Sequence, residues 1–275
     1  MRRPRGFTLL ELTVVIAITA VMAAALTVFL KPAIDAYFAA RRRAELTDMA
    51  DTALRRIGQD VRRAVPNSII PSGGSCFELV PTVTGGRYRK GSDTASGGHA
   101  LDTGSATSDF DVLSPTSMSA ATRAPIAGDW IVVDNQNGTD VYSGGNRAQV
   151  GSVSTPVAAA GLSRITLSSA KQFPTGYDGG RFVAVADTEQ VVVYSCVGGT
   201  LYRTVTTFGA TLATACGLTT GAVVATGVTG CTFSYDPNIG STQQYGLLWM
   251  RLQLTDATSG DSVVLAHGVH VDNSP

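Results

Sequence analysis

From Phe7 to Leu30 the chain runs for 24 residues with one ionisable side chain, Glu11. No other stretch restricts the fold as strongly. At 1.5 Å per residue such a helix reaches roughly 36 Å, enough to cross a hydrocarbon core of about 30 Å. A secretory signal peptide has a shorter apolar core, about 7–15 residues, followed by a small-residue cleavage site. Ala23-Ala24-Ala25 imitates such a site, yet the apolar run continues through Val28, Phe29 and Leu30. The segment therefore reads as a membrane helix. A carboxylate inside it is costly: a charge at the centre of a membrane helix is set at about +2.5 to +3.5 kcal/mol, less near an end. Glu11 calls for a partner.

The residues around it, Arg5-Gly6-Phe7-Thr8-Leu9-Leu10-Glu11-Leu12, resemble the type III signal of type IV prepilins and type II secretion pseudopilins. The resemblance implies that a prepilin peptidase cuts between Gly6 and Phe7 and N-methylates Phe7. Glu11 becomes the fifth mature residue and pairs with the Phe7 amine of a neighbouring subunit. Two charges in low dielectric each need the other, so such a pair specifies the register between subunits. Arg2, Arg3 and Arg5 precede the helix, whereas Lys31 and Arg41 to Arg43 follow it, so counting basic residues leaves the orientation nearly tied. The resemblance decides it, because the peptidase acts at the cytoplasmic face. It implies a single-pass inner-membrane protein whose head lies in the periplasm and later on a pilus at the cell surface.

Lys31-Pro32 interrupts the apolar run, and Pro32 leaves the Val28 carbonyl without its usual donor. Helical periodicity then resumes. Leu46, Met49, Ala50, Ala53, Leu54, Ile57, Val61 and Val65 recur at three- and four-residue steps. Arg41, Arg42, Arg43, Asp48, Asp51, Arg55, Arg56, Asp60, Arg62 and Arg63 occupy the other faces, as on a solvated helix surface. Their mixture of signs argues against a nucleic-acid patch. Pro66 stops the helix. The expectation is one kinked helix from Phe7 to Ala64, 58 residues and about 87 Å if straight. Its first half suits lipid, and the stripe of its second half suits docking on a globular domain.

From Asn67 the composition shifts to Gly, Ser, Thr and Val. Strand-like runs begin at Cys76, Trp130, Ile165, Arg181, Gln190, Leu201, Val223, Cys231, Leu247 and Ser262. Gly198-Gly199 and Ser259-Gly260 are placed to turn hairpins. Thr84 to Ser108 reads as a long surface loop. The fold class is α+β and type IV pilin-like: a long N-terminal helix packed on a large antiparallel β-rich head. Residues 1–6 form a leader, 7–30 the membrane and filament-core helix, 31–66 its amphipathic half, and 67–275 the head.

Residues 1–66 hold 11 Lys+Arg and 6 Asp+Glu; residues 67–275 hold 10 and 15. A mildly acidic head argues against DNA or an anionic surface as its partner. Cys76, Cys196, Cys216 and Cys231 all fall in that head, and an even count in an oxidising compartment favours two disulfides. Three pairings are possible. Cys196 and Cys216 flank the Gly198-Gly199 hairpin and its return, which favours Cys196–Cys216 with Cys76–Cys231. No Cys or His spacing suits zinc, and Asp102, Asp109 and Asp111 do not follow a calcium-loop pattern. His267 and His270 are three apart in a strand-like run and point to opposite faces. Gly260-Asp261-Ser262 reads as a hairpin corner rather than a nucleophile turn. Neither a catalytic set, a metal site nor a cofactor is expected.

A second resemblance rests on Leu54 through Ser68, Cys76-Phe77-Glu78-Leu79-Val80-Pro81, Gly230 through Tyr235, and His270 through Pro275. These pieces are similar to O-type minor pilins of mannose-sensitive haemagglutinin (MSHA) pili. J-type pseudopilins share the helix-end pattern. The resemblance implies a minor pilin working in assembly, initiation or at the tip, with prepilin peptidase, other pilins and an inner-membrane platform as partners. A J-type pseudopilin and a pilus-associated adhesin are the alternatives.

Overall fold

The computed structural model describes residues 6–116, 123–176, 179–239 and 245–273. Most of the leader and the last two residues lie outside the described residues. Helix α1 (Leu9–Arg62) is 54 residues long, about 81 Å, and it continues through Pro32. Its side chains are exposed from Leu9 to Phe38, and the first buried one is Ala50. Ala50, Ala53, Leu54, Ile57 and Val61 then enter a core formed with the head. Leu46 packs on the rim of that core, whereas Met49 of the expected stripe is exposed. The fit is close at Gly58, where a Cβ would lie 3.3 Å from Val269.

The head is built from three sheets, and all of their strand pairs are antiparallel. The first contains β1 (Ile70–Ser72), β2 (Cys76–Leu79), β9 (Val191–Val197), β10 (Thr200–Thr206) and β11 (Ala222–Thr226), in order β1-β2-β9-β10-β11. The second is β12 (Val228–Ile239), β13 (Tyr245–Thr255) and β14 (Ser262–Asp272). The third contains β3 (Thr84–Arg87), β4 (Thr107–Val112), β5 (Trp130–Val132), β6 (Arg147–Ser154), β7 (Ser163–Lys171) and β8 (Arg181–Val185), in order β3-β8-β5-β6-β7-β4. Short helices α2 (Asp140–Ser143) and α3 (Leu212–Ala215) each bury one side chain, Val141 and Ala215.

Strands β2 and β9 of the first sheet are buried on both faces, and the two-residue period of these strands feeds two cores. Val192 and Tyr194 of β9 and Phe77 and Leu79 of β2 face α1, with Leu248, Met250 and Val269. Their neighbours Val191, Val193 and Cys76 face the other way, with Val132, Val141, Val185 and Phe208. A third core around Phe110, Ile131, Ile165, Phe173 and Phe182 sits inside the six-stranded sheet.

This alternation decides the disulfides. They are Cys76–Cys216 and Cys196–Cys231, not the expected Cys196–Cys216 and Cys76–Cys231. Cys76 and Cys216 lie on the face away from α1, whereas Cys196 and Cys231 lie on the face toward it. Partners must share a face, because bridged Cα atoms sit about 4.4–6.8 Å apart; here they are 5.8 and 6.4 Å apart. Nearness along a hairpin says nothing about the face.

Both expected hairpins form. Gly198 and Gly199 have φ of 57° and 78° and join β9 to β10, the left-handed pair that a two-residue turn requires. The Ser259-Gly260 corner joins β13 to β14. The segment Thr84 to Ser108 is not a surface loop. It holds β3, the start of β4, and buried Tyr88 and Leu101.

Candidate functional site

The N-terminal end of α1 is open to its surroundings. Phe7 is 83% exposed, and nothing lies within 4 Å of where a Gly6 side chain would be. The Gly6–Phe7 peptide thus stands clear of the rest of the described chain. Thr8 is extended and caps the helix. Its Oγ1 accepts the Glu11 N–H at 3.3 Å, and its own N–H and hydroxyl donate to Glu11 Oε2, each at 2.9 Å. This is a capping box: Thr8-Leu9-Leu10-Glu11 has the Thr-x-x-Glu spacing that satisfies otherwise orphaned donors reciprocally. The same Thr8 and Glu11 that belong to the processing motif thus also carry a capping signal legible in the sequence. In a single chain, then, one Glu11 oxygen is already held by Thr8. The expected partner on a neighbouring subunit would meet a carboxylate pre-oriented at the helix terminus.

At the other end of α1 the helix is locked to the head by charge. Asp60 is not on a solvated face, as its charge suggests, but buried, 3% exposed. Its Oδ2 accepts from Tyr194 Oη at 2.7 Å and Arg203 Nε at 2.6 Å, and its Oδ1 accepts from Arg63 Nη2 at 2.9 Å. Arg203 and Arg63 also reach Glu189, at 2.5 and 3.1 Å. Burial pushes the Asp60 carboxyl up. The hydrogen bonds from Arg203 and Tyr194 and the charges of Arg203 and Arg63 outweigh this and hold it below its ordinary value. Tyr194 is pushed up, first by burial and then by the Asp60 charge. A buried charge is tolerable only with such partners.

Two further clamps act on the same helix. The β13–β14 corner reaches it through Asp261, which accepts from Arg42 at 3.0 Å and Arg43 at 3.4 Å. Gly260-Asp261-Ser262 is thus a hairpin tip pinned to α1. Beyond the helix, Asn67 adopts φ 62°, a left-handed conformation that Asn tolerates. Its N–H donates to Asn273 Oδ1 at 3.1 Å and its amide donates to the Asn135 carbonyl at 2.8 Å. Asn135 in turn donates to the Pro66 carbonyl, and Asn146 to Asn135 Oδ1. These amides tie together the helix exit, the C-terminal strand and the six-stranded sheet. Asp60, Asn67, Cys76, Cys231 and Asn273, which belong to the segments similar to O-type minor pilins, therefore sit at the joints of the fold.

The remaining candidates have structural engagements. Asp111 binds Arg164 at 2.7 Å, His99 Nδ1 meets Asp109 at 2.6 Å, and Asp102 accepts from the Gly104 N–H and Ser105 hydroxyl of its own turn. Among the described residues no three His, Cys, Asp or Glu side chains gather as a metal group would require. His267 and His270 stand on opposite faces of β14.

A family model described as a prokaryotic N-terminal methylation motif matches residues 1–27. No curated protein and no solved structure matches this chain. The motif coincides with the exposed end and apolar half of α1, the one described helix long and apolar enough to cross a membrane. Together they support a type IV prepilin-like protein, a pilin or pseudopilin, anchored in a membrane by its N-terminal helix.

Proposed function

We propose that this chain is a minor pilin of an MSHA-type type IV pilus, acting in assembly, initiation or at the tip, and not an enzyme. The observation that carries this reading is the methylation motif at residues 1–27, set on a helix half whose apolar side chains are all uncovered. Prepilin peptidase removes residues 1–6 and methylates Phe7. The inner-membrane platform then extracts the helix from lipid into a filament, where Leu9 to Leu30 pack against other pilins and Glu11 pairs with a neighbour's Phe7 amine. The head faces the periplasm and then the cell exterior. Its two disulfides suit an oxidising compartment, and its helix clamps suit a subunit pulled by its helix.

Intact mass of the membrane-extracted protein tests the processing step. Loss of residues 1–6 and gain of one methyl group is expected; an intact N-terminus sinks the pilin reading. Glu11→Ala is expected to be processed yet poorly incorporated into sheared pili. Normal incorporation would remove the acid–amine pair. A J-type pseudopilin is the second reading, since it shares the motif and the helix-end pattern. Recovery of the protein in sheared MSHA-type pili, and unimpaired protein secretion in its absence, separates the two.

A further inference from the structure

Where the C-terminal end of α1 meets β3 and β8, an open cleft of about 500 Å3 is lined by Arg62, Arg63, Arg87 and Arg181. Arg63 is engaged by Asp60 and Glu189. The other three are exposed, and none has an acidic partner among the described residues. Arg62 is explained in part by its place in the last helical turn, where a cation complements the helix dipole. Arg87 and Arg181 are not explained that way. They stand directly opposite each other across the antiparallel β3–β8 pair, an arrangement that destabilises a sheet when the charges are alike. Two carboxylates, Asp134 and Asp272, also line the cleft. Asp134 Oδ2 accepts from Gln136 at 2.9 Å, and Asp272 has a partner of its own. An excess of positive charge remains, beside half-buried or exposed Pro66, Pro115 and Val183.

We propose that this cleft binds an acidic, extended peptide segment of a partner protein. Its carboxylates meet Arg62, Arg87 and Arg181, and its small apolar side chains pack on Pro66, Pro115 and Val183. Guanidinium groups favour planar, bidentate carboxylate contacts, and the cleft volume falls in the range of about 300–1,000 Å3 typical of ligand sites. A glycan fits less well: the aromatic ring of the described lining, Phe182, is 2% exposed and offers no open face for a sugar. A nucleic acid fits less well too. Residues 67–275 hold 10 basic and 15 acidic side chains, which repel a long polyanion outside the cleft. This inference does not depend on the pilin reading.

The test uses the full chain in neutral detergent micelles and a fluorescein-labelled peptide of alternating glutamate and alanine, read by fluorescence anisotropy. The lysine–alanine counterpart and hyaluronate oligosaccharides are the comparison probes. Binding of the acidic peptide is expected, weakened about tenfold or more by Arg87→Glu with Arg181→Glu, and weakened by raising salt from about 0.05 to 0.5 M. Arg87→Gln with Arg181→Gln, checked for an unchanged near-UV spectrum, is expected to weaken binding in the same direction. Arg56→Glu, on an exposed helix face, should leave it unchanged. Failure of the native chain to bind the acidic peptide overturns the proposal. So does equal binding by the glutamine variant, equal binding of the lysine peptide, or a preference for hyaluronate.

Discussion

Replacing Asp60 should loosen the whole docking of α1 on the head. In Asp60→Asn the buried side chain loses its charge while Arg203 and Tyr194 stay in place. Arg203 keeps Glu189 at 2.5 Å, and Arg63 keeps Glu189 at 3.1 Å, so the cations are not stranded. The loss is therefore below the roughly 3–5 kcal/mol that follows when a buried pair is broken outright. Weakened hydrogen bonds from a charged donor and a buried phenol set it at about 2–3 kcal/mol. For a head of this size that is a fall of roughly 4–12 °C in midpoint temperature. Arg203→Met should cost a similar amount, because Asp60 then keeps Arg63 and Tyr194. The double variant should cost less than the sum, with a coupling of about 1–3 kcal/mol. Urea unfolding of the full chain in micelles, followed by near-UV circular dichroism, measures each value. The pH dependence gives a second check. The folded Asp60 carboxyl lies below its ordinary 3.8. Its contribution is thus present above that unfolded value and is lost as pH falls through the folded one. The gap between native and Asp60→Asn proteins should close under acid. Single-variant losses under about 0.5 kcal/mol, or strict additivity, would refute the argument that this network fastens the helix.

Glu78 offers an opposite pH signature. Burial raises its carboxyl from 4.5 to about 7, so the unfolded chain ionises first and native stability falls as pH rises from about 4.5 through 7. Glu78→Gln should remove that slope and gain on the order of 1–3 kcal/mol near pH 8 relative to pH 4, after allowance for remaining solvent contact; parallel pH profiles would contradict it. Peptide mapping under non-reducing conditions should yield Cys76–Cys216 and Cys196–Cys231. Losing the first, which closes 140 residues, should cost up to about 5 kcal/mol, and losing the second, which closes 35, up to about 4. Asp261→Ala should raise amide exchange at the β13–β14 corner and on α1 near Arg42, with little change in global unfolding, because the ion pair is open to solvent.

Much of the head could be read from its residues. Ten of the strands were announced by β-branched and aromatic runs, and the Gly198-Gly199 and Ser259-Gly260 turns by their chemistry. Strands β3 and β6 lack such a signal. Thr84-Gly85-Gly86-Arg87 looks like loop, yet it is β3 because β8 supplies its partner and the Phe182 ring fills the place where a Gly86 side chain would lie, 2.9 Å away. Arg147 to Ser154 is polar overall, and only Ala148 and Val150 reach a core. By residue type Asp60 reads as solvent-facing, because charge normally means exposure. Its partners Tyr194 and Arg203 are more than a hundred residues away, and nothing local hints at them.

The apolar run, the processing motif, the Thr8–Glu11 spacing and the amphipathic stripe are all local, with periods of one residue or one helical turn. Such patterns determine an element wherever it sits, and so the sequence alone specified a long helix with a lipid half and a docking half. The tertiary structure decided what depends on two distant segments meeting. It set which cysteines share a face, which aspartate is buried against which arginine, and that Arg87 and Arg181 end up side by side with Arg62 in one cleft. Those outcomes follow from strand order and face, and the free energy that selects them is shared among contacts far apart along the chain.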